Sequence, residues 1–351
     1  MALSVKFTRA QIQGLALARL GNPLRNGTLQ TSRELCRFDP SEAELLTHCF
    51  LKPFRTLEEH RFFHEQSLGE NQVYQWARTV FRQPERLLET SASLARRLFE
   101  KSDHPNIKPG DLCVSLVEGL MVHGRDCQGL CVVKCENTVP FLEISVRDGD
   151  LRLLTHEGIY PDKIDKGCLI FNEREEEGFS VLVFDKGGAD PLFWNRQFLG
   201  LTPRTNEDFL TKRYSELCLE FAKRGLPPST PQESRYQLAN RAVNYLVGAD
   251  EFDRDAFERT TFREPNMIDQ FQTFKTNYES DHGFRLDEGF TVSKDIARKA
   301  KQRLKGTLRL DTGVEIRFRS DFIDQSESLC EQGFDEERGM RFVKILYHEE
   351  C

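Results

Sequence analysis

Apolar positions recur every three or four residues in three stretches of the first hundred residues. From Ser41 to Pro53, Leu45, Leu46 and Phe50 form one stripe, which predicts a helix that Pro53 stops. Ser41 and Glu44 have the spacing of a capping box at its start. Asn71 to Phe81 and Pro84 to Lys101 also read as helices. The second has Pro84 near its first turn and Leu87, Leu88, Leu94, Leu98 and Phe99 at helical spacing. At Gly110 the period changes. Asp111–Val122, Gly129–Cys135, Phe141–Val146, Leu151–Leu154, Gly167–Phe171 and Phe179–Phe184 are short runs rich in β-branched and aromatic residues. Turn dipeptides separate them: His123-Gly124, Asp148-Gly149, Glu177-Gly178 and Gly187-Gly188. The pattern predicts a mostly antiparallel meander.

The helical period returns after Pro191. Asn206–Arg224 carries Leu210, Tyr214, Leu217, Cys218 and Phe221 on one side, and Gly225, Pro227 and Pro228 end it. A polar linker, Ser229–Ser234, is expected next, then helices over about 235–246, 253–261 and 264–279. Thr307–Leu310, Val314–Phe318 and Arg341–Tyr347 return to strand texture, with Thr312-Gly313 and Arg338-Gly339 near the turns. The fold class read from this is α+β. N-terminal helices pack on a mostly antiparallel sheet, and a helical C-terminal part ends in a small β-sheet. The expected domains are 1–195 and 196–351.

Length and composition fit that picture. The 351 residues exceed what one core usually accommodates, and 38% hydrophobic content can fill two. Twenty-seven Phe against 7 Tyr and 2 Trp point to cores built on phenylalanine. Lys6, Arg9 and Arg19 interrupt the first twenty residues, so no signal-peptide core is expected there. No apolar run approaches the ~20 residues that span a bilayer. The ten cysteines are scattered, so a cytosolic protein with reduced thiols and no membrane partner is expected.

Charge changes the picture more. The net charge of -7 argues against a polycationic coat on nucleic acid. Yet residues 251–290 hold 5 Lys+Arg and 10 Asp+Glu, residues 291–320 hold 9 and 3, and residues 321–351 hold 3 and 9. A +6 island therefore lies between acidic flanks. Lys294, Arg298, Lys299, Lys301, Arg303, Lys305 and Arg309 fall within sixteen residues, opposed only by Asp295. Lys294, Arg298, Lys301 and Lys305 step by four, three and four, which a helix places on one face. Arg317 and Arg319 alternate on the following strand. Such a block is either a phosphate-tracking surface or a solvated face neutralised by its flanks.

Other candidates are weaker. Cys127, Cys131 and Cys135 recur every fourth residue after His123, but their spacing is not that of paired zinc knuckles, and buried thiols acting as small hydrophobes fit better. His60 and His64 are four apart, yet Arg61 stands where a zincin needs Glu; a helix with Phe62 and Phe63 inward is expected there. No lysine has Asp or Glu two residues before it, so the strand signature of a two-metal nuclease is missing, and Pro161-Asp162 reads as a turn. There is no P-loop and no Gly-x-Ser-x-Gly elbow. No catalytic residue, metal ligand or cofactor is assigned.

Several stretches, in order, resemble one family. They are Arg61–Glu65, His104–Gly110, Lys134–Asn137 with Phe141-Leu142, Asp165–Asn172, Phe193-Trp194 with Phe198-Leu199 and Pro203-Arg204, and Gly333–Met340. The chain resembles the bacterial nucleoid-associated protein family in the form common in Bacteroidetes-like genomes. That resemblance implies a cytoplasmic, nucleoid-located protein that binds double-stranded DNA without catalysis, as a homodimer, with a topoisomerase or another nucleoid protein as partner. The basic block falls in the family's lysine-rich segment. Gly188–Pro191 and the cysteine cluster depart from the family pattern. The other expectation is an interaction module whose basic block docks an acidic partner, such as a topoisomerase or a phage or defence component.

Overall fold

The computed structural model describes residues 3–55, 57–147, 149–160, 162–186, 193–262, 264–304, 306–309, 311–318, 330–347 and 349. The chain divides into two compact units, Ala2–Arg204 and Thr205–Cys351.

In chain order the first unit contains β1 (Val5–Lys6), β2 (Gln11–Leu20), β3 (Leu29–Thr31), α1 (Pro40–Leu51), β4 (Glu59–Phe62), α2 (Gln72–Arg82) and α3 (Leu87–Lys101). Then follow β5 (Gly110–Val122), β6 (Arg125–Cys135), β7 (Thr138–Arg147), β8 (Asp150–Ile159), β9 (Lys166–Phe171), β10 (Ser180–Asp185) and β11 (Leu201–Pro203). Nine strands form one antiparallel sheet in the order β11-β4-β10-β9-β6-β5-β2-β3, with β1 also on β5.

The sheet is covered on both faces. Leu130, Val132, Ile170 and Val181 point to α2 and α3, where Val73, Ala77, Leu94 and Leu98 close one core with Trp194 and Phe198. Cys131, Val133, Leu169 and Leu182 point the other way, to Phe50, Leu51 and Phe54 at the end of α1. Period-two alternation in β6 and β9 thus feeds two cores, which explains why both strands read as unbroken apolar runs. The β5–β6 turn uses His123 and Gly124 at φ 49° and 79°, the backbone a two-residue hairpin needs. Gly119 sits at φ 70° where β5 bulges, and a Cβ there would lie 2.1 Å from the Arg9 carbonyl oxygen.

Four details differ from the sequence expectations. The capping box is two residues earlier: Asp39 accepts from Glu42 N (2.9 Å) and Glu42 accepts from Asp39 N (2.8 Å), because Pro40 takes the first helical position. The His60 segment is strand, not helix. Pairing with β10 and β11 overrides its local pattern, so Phe62 is buried while Phe63 is half exposed. β2, which pairs with β5 and β3 near one edge of the sheet, has no counterpart in the expected elements. Finally, β7 and β8 pair only with each other and leave the sheet as a separate ribbon.

The second unit contains α4 (Glu207–Glu220), α5 (Gln232–Gly248), β12 (Glu251–Asp253), α6 (Arg254–Thr261), α7 (Pro265–His282), β13 (Gly289–Thr291) and α8 (Lys294–Arg303). Two hairpins end it: β14 (Gly306–Arg309) with β15 (Glu315–Phe318), and β16 (Cys330–Asp335) with β17 (Met340–Ile345). Its core is phenylalanine-rich, as composition suggested. Tyr214, Phe252 and Phe290 stack at ring separations of 4.3–5.4 Å, and Phe221, Phe262 and Phe271 meet beside them. The expected polar linker shortens to an exposed turn, in which Thr230 N donates to the Pro227 carbonyl (2.9 Å). α5 begins at Gln232, and Arg235 gathers the carbonyls of Ala222, Lys223 and Leu226.

Candidate nucleic-acid interface

α8 is pinned from one side. Ala297 is buried, Ala300 and Leu304 pack into the same core, and Tyr236 donates to the Leu304 carbonyl (3.3 Å). Small residues at positions 297 and 300 let α8 lie close to its neighbours. At its start Ser293 N donates to Thr211 Oγ1 in α4 (2.9 Å).

That packing divides the basic block. Lys294 turns inward and donates to the carbonyls of Val247 (3.2 Å) and Ala249 (2.6 Å), with Asp250 3.0 Å away. It thereby closes the carboxyl end of α5, where unpaired carbonyls and the helix dipole favour a cation. Lys301 is half-buried. Arg298, Lys299 and Arg303 are exposed, and Arg298 has Asp295 only at 3.9 Å. These three are the cations that α8 holds outward. Lys305 and Arg319 lie outside the described residues. The strand register sets Arg317 opposite Thr307 and Arg309 opposite Glu315, so an acidic residue is interleaved with the two arginine positions.

The remaining candidates resolve as structure. Cys131 and Cys135 face the α1 core with burial pushing their thiols up to about 12, and Cys127 is raised to about 11. Such thiols are poor ligands and poor nucleophiles at neutral pH. His60 Nδ1 lies 3.1 Å from the Glu58 carbonyl, and His64 Nδ1 accepts from Gln66 N (3.3 Å). Among the described residues no three His, Cys, Asp or Glu side chains converge as a metal site. Asp162 pairs with Lys52.

Two buried ionic clusters escaped sequence reasoning, because their members are distant in the chain. Glu59 lies 2.8 Å from Arg204 Nε and accepts from Ser180 Oγ (2.9 Å), tying β4, β10 and β11 together. At the opposite end of β10 Lys134 donates to Glu136 (2.9 Å) and to the Lys108 carbonyl (2.7 Å), while Lys166 donates to Asp185 (2.6 Å). Desolvation lowers the Lys134 pKa, and Glu136 opposes that shift. Each charge has its counter-charge, so both clusters read as fastenings of the strand ends.

The architecture is that of a two-unit α+β protein with Arg298, Lys299 and Arg303 held outward on one C-terminal helix. The chain belongs to the nucleoid-associated protein family NA37, whose model, described as nucleoid-associated protein YejK, matches residues 19–339. No curated protein matches the chain. Family membership gives a bacterial, nucleoid-associated role. No helix among the described residues is long and apolar enough to cross a membrane.

Proposed function

We propose that this protein binds double-stranded DNA with little sequence preference in the bacterial cytoplasm, as a non-enzymatic homodimer of the nucleoid. The observation that carries the reading is the outward triad Arg298, Lys299 and Arg303 on a helix immobilised by its other face. Contacts to phosphate position a protein on DNA without reading bases, and three cations on one rigid face suit that task. The acidic stretches on either side confine the contact to a small oriented patch. Lys305, Arg309, Arg317 and Arg319 extend the proposed patch along the chain.

A gel shift with random duplex DNA at several salt concentrations tests this. With roughly six phosphates neutralised per dimer, log K should fall with log[salt] at a slope of about -5. Changing Arg298, Lys299 and Arg303 together to Glu should abolish the shift and leave thermal unfolding unchanged. Unchanged affinity in that variant overturns the assignment. The acidic flanks support a second reading, in which the patch docks an acidic protein such as a topoisomerase or a phage or defence component. A wild-type protein that gives no shift below micromolar concentration favours that reading.

A further inference from the structure

The β7–β8 ribbon is an apolar feature that neither core covers. Its register sets Leu142 opposite Thr155, Ile144 opposite Leu153 and Val146 opposite Leu151. Cross-strand partners and alternate residues share a face. Leu142, Ile144, Val146, Leu151 and Leu153 therefore form one aliphatic strip, each 63–73% exposed. The opposite face differs in chemistry: Phe141 stacks on His156 at 5.3 Å, and His156 Nε2 lies 2.7 Å from Glu143.

The ribbon is anchored where it leaves the sheet. The Asp165 carboxylate accepts from Glu136 N (2.6 Å) and from Asn137 Nδ2 (2.6 Å), and Glu136 is itself held by Lys134. The strip is thus presented from a fastened base. A two-stranded ribbon in water is marginal by itself, and it gains stability when an apolar face packs against something.

We infer that this strip docks a second copy of the same chain, the two ribbons packing face to face about a two-fold axis. The inference rests on the homodimer part of the reading above and not on its DNA part. A two-fold interface needs a patch complementary to itself, and a flat aliphatic strip meets that requirement. None of its five residues is charged, so none selects an oppositely charged partner. At these exposures the strip leaves roughly 600 Å² of apolar surface in water, the upper end of what monomers tolerate. Two such faces together would bury about 1,200 Å², enough for the lower end of specific, stable interfaces.

Sedimentation analysis of the full chain tests the placement. The wild type should sediment as a dimer. Ile144→Thr with Leu153→Thr keeps strand preference but removes aliphatic surface, and should raise the dimer dissociation constant on the order of 100-fold. Ile144→Lys, which sets like charges near each other across the axis, should give monomer as well. Unchanged circular dichroism and melting show that either variant is folded. A wild-type dimer that both folded variants preserve overturns the placement while leaving self-association intact. A monomeric wild type overturns self-association itself and assigns the strip to a different protein, with the gel shift still deciding DNA binding.

Discussion

Cys131 is fully buried and Cys135 nearly so, and both face the α1 core across from residues that carry no opposing charge. Burial holds both thiols neutral up to about 12, and it raises Cys113 and Cys168 as well. An unfolded cysteine ionises near ~8.5. Above that pH the unfolded state binds fewer protons than the folded state, so stability falls as pH rises. The melting midpoint should therefore decline from pH 8 to pH 10.5, and a flat profile would contradict the burial. Brief alkylation of native protein at pH 8 should label Cys36, which is half-buried, well before Cys131; peptide mass spectrometry reads the order. Four-residue spacing already put Cys131 and Cys135 on one strand face. Only the second helical layer decided that this face is dry.

Among the elements, α2 shows how a single cap can join several parts. Asn71 Oδ1 accepts from Tyr74 N (3.0 Å), while its Nδ2 donates to the carbonyls of Phe63 (3.1 Å) and Gly200 (3.0 Å). Asn71→Ala removes the cap and strands buried carbonyls, so it should cost about 3 kcal/mol in urea unfolding. Asn71→Asp keeps the accepting oxygen and loses the donor, and should fall between. The helices of both units were legible because a packed helix needs only one apolar stripe, visible within eighteen residues. β4 was not, since four residues show no period and their partners lie more than a hundred positions away. The β7–β8 ribbon was legible as two strands, but strand texture does not say which sheet a strand joins.

For the whole molecule, the proposed phosphate contact and the proposed pairing make a joint prediction. If two copies each present the α8 triad, a dimer contacts twice as many phosphates as a monomer. The monomeric ribbon variant should then retain DNA binding with a salt slope of about -3 in place of about -5, and weaker affinity. A slope unchanged by dissociation would show that one protomer supplies every contact. The same pairing would let one dimer hold two duplexes, whereas the monomer could not; retention of labelled DNA on immobilised DNA measures that.

The sequence by itself determined the α+β class, the phenylalanine cores and the polarity of charge that hides inside -7. These are properties of composition and short-range period, and they survive without knowledge of any contact. The tertiary structure alone decided which cations face out. Lys294 and Arg298 share a helical stripe in sequence, yet α5 ends beside one and not the other, so Lys294 satisfies carbonyls at the end of α5 while Arg298 meets solvent. It also decided that the β7–β8 strip lies uncovered. Both outcomes depend on what a distant segment places against a residue, and that is information no local pattern contains.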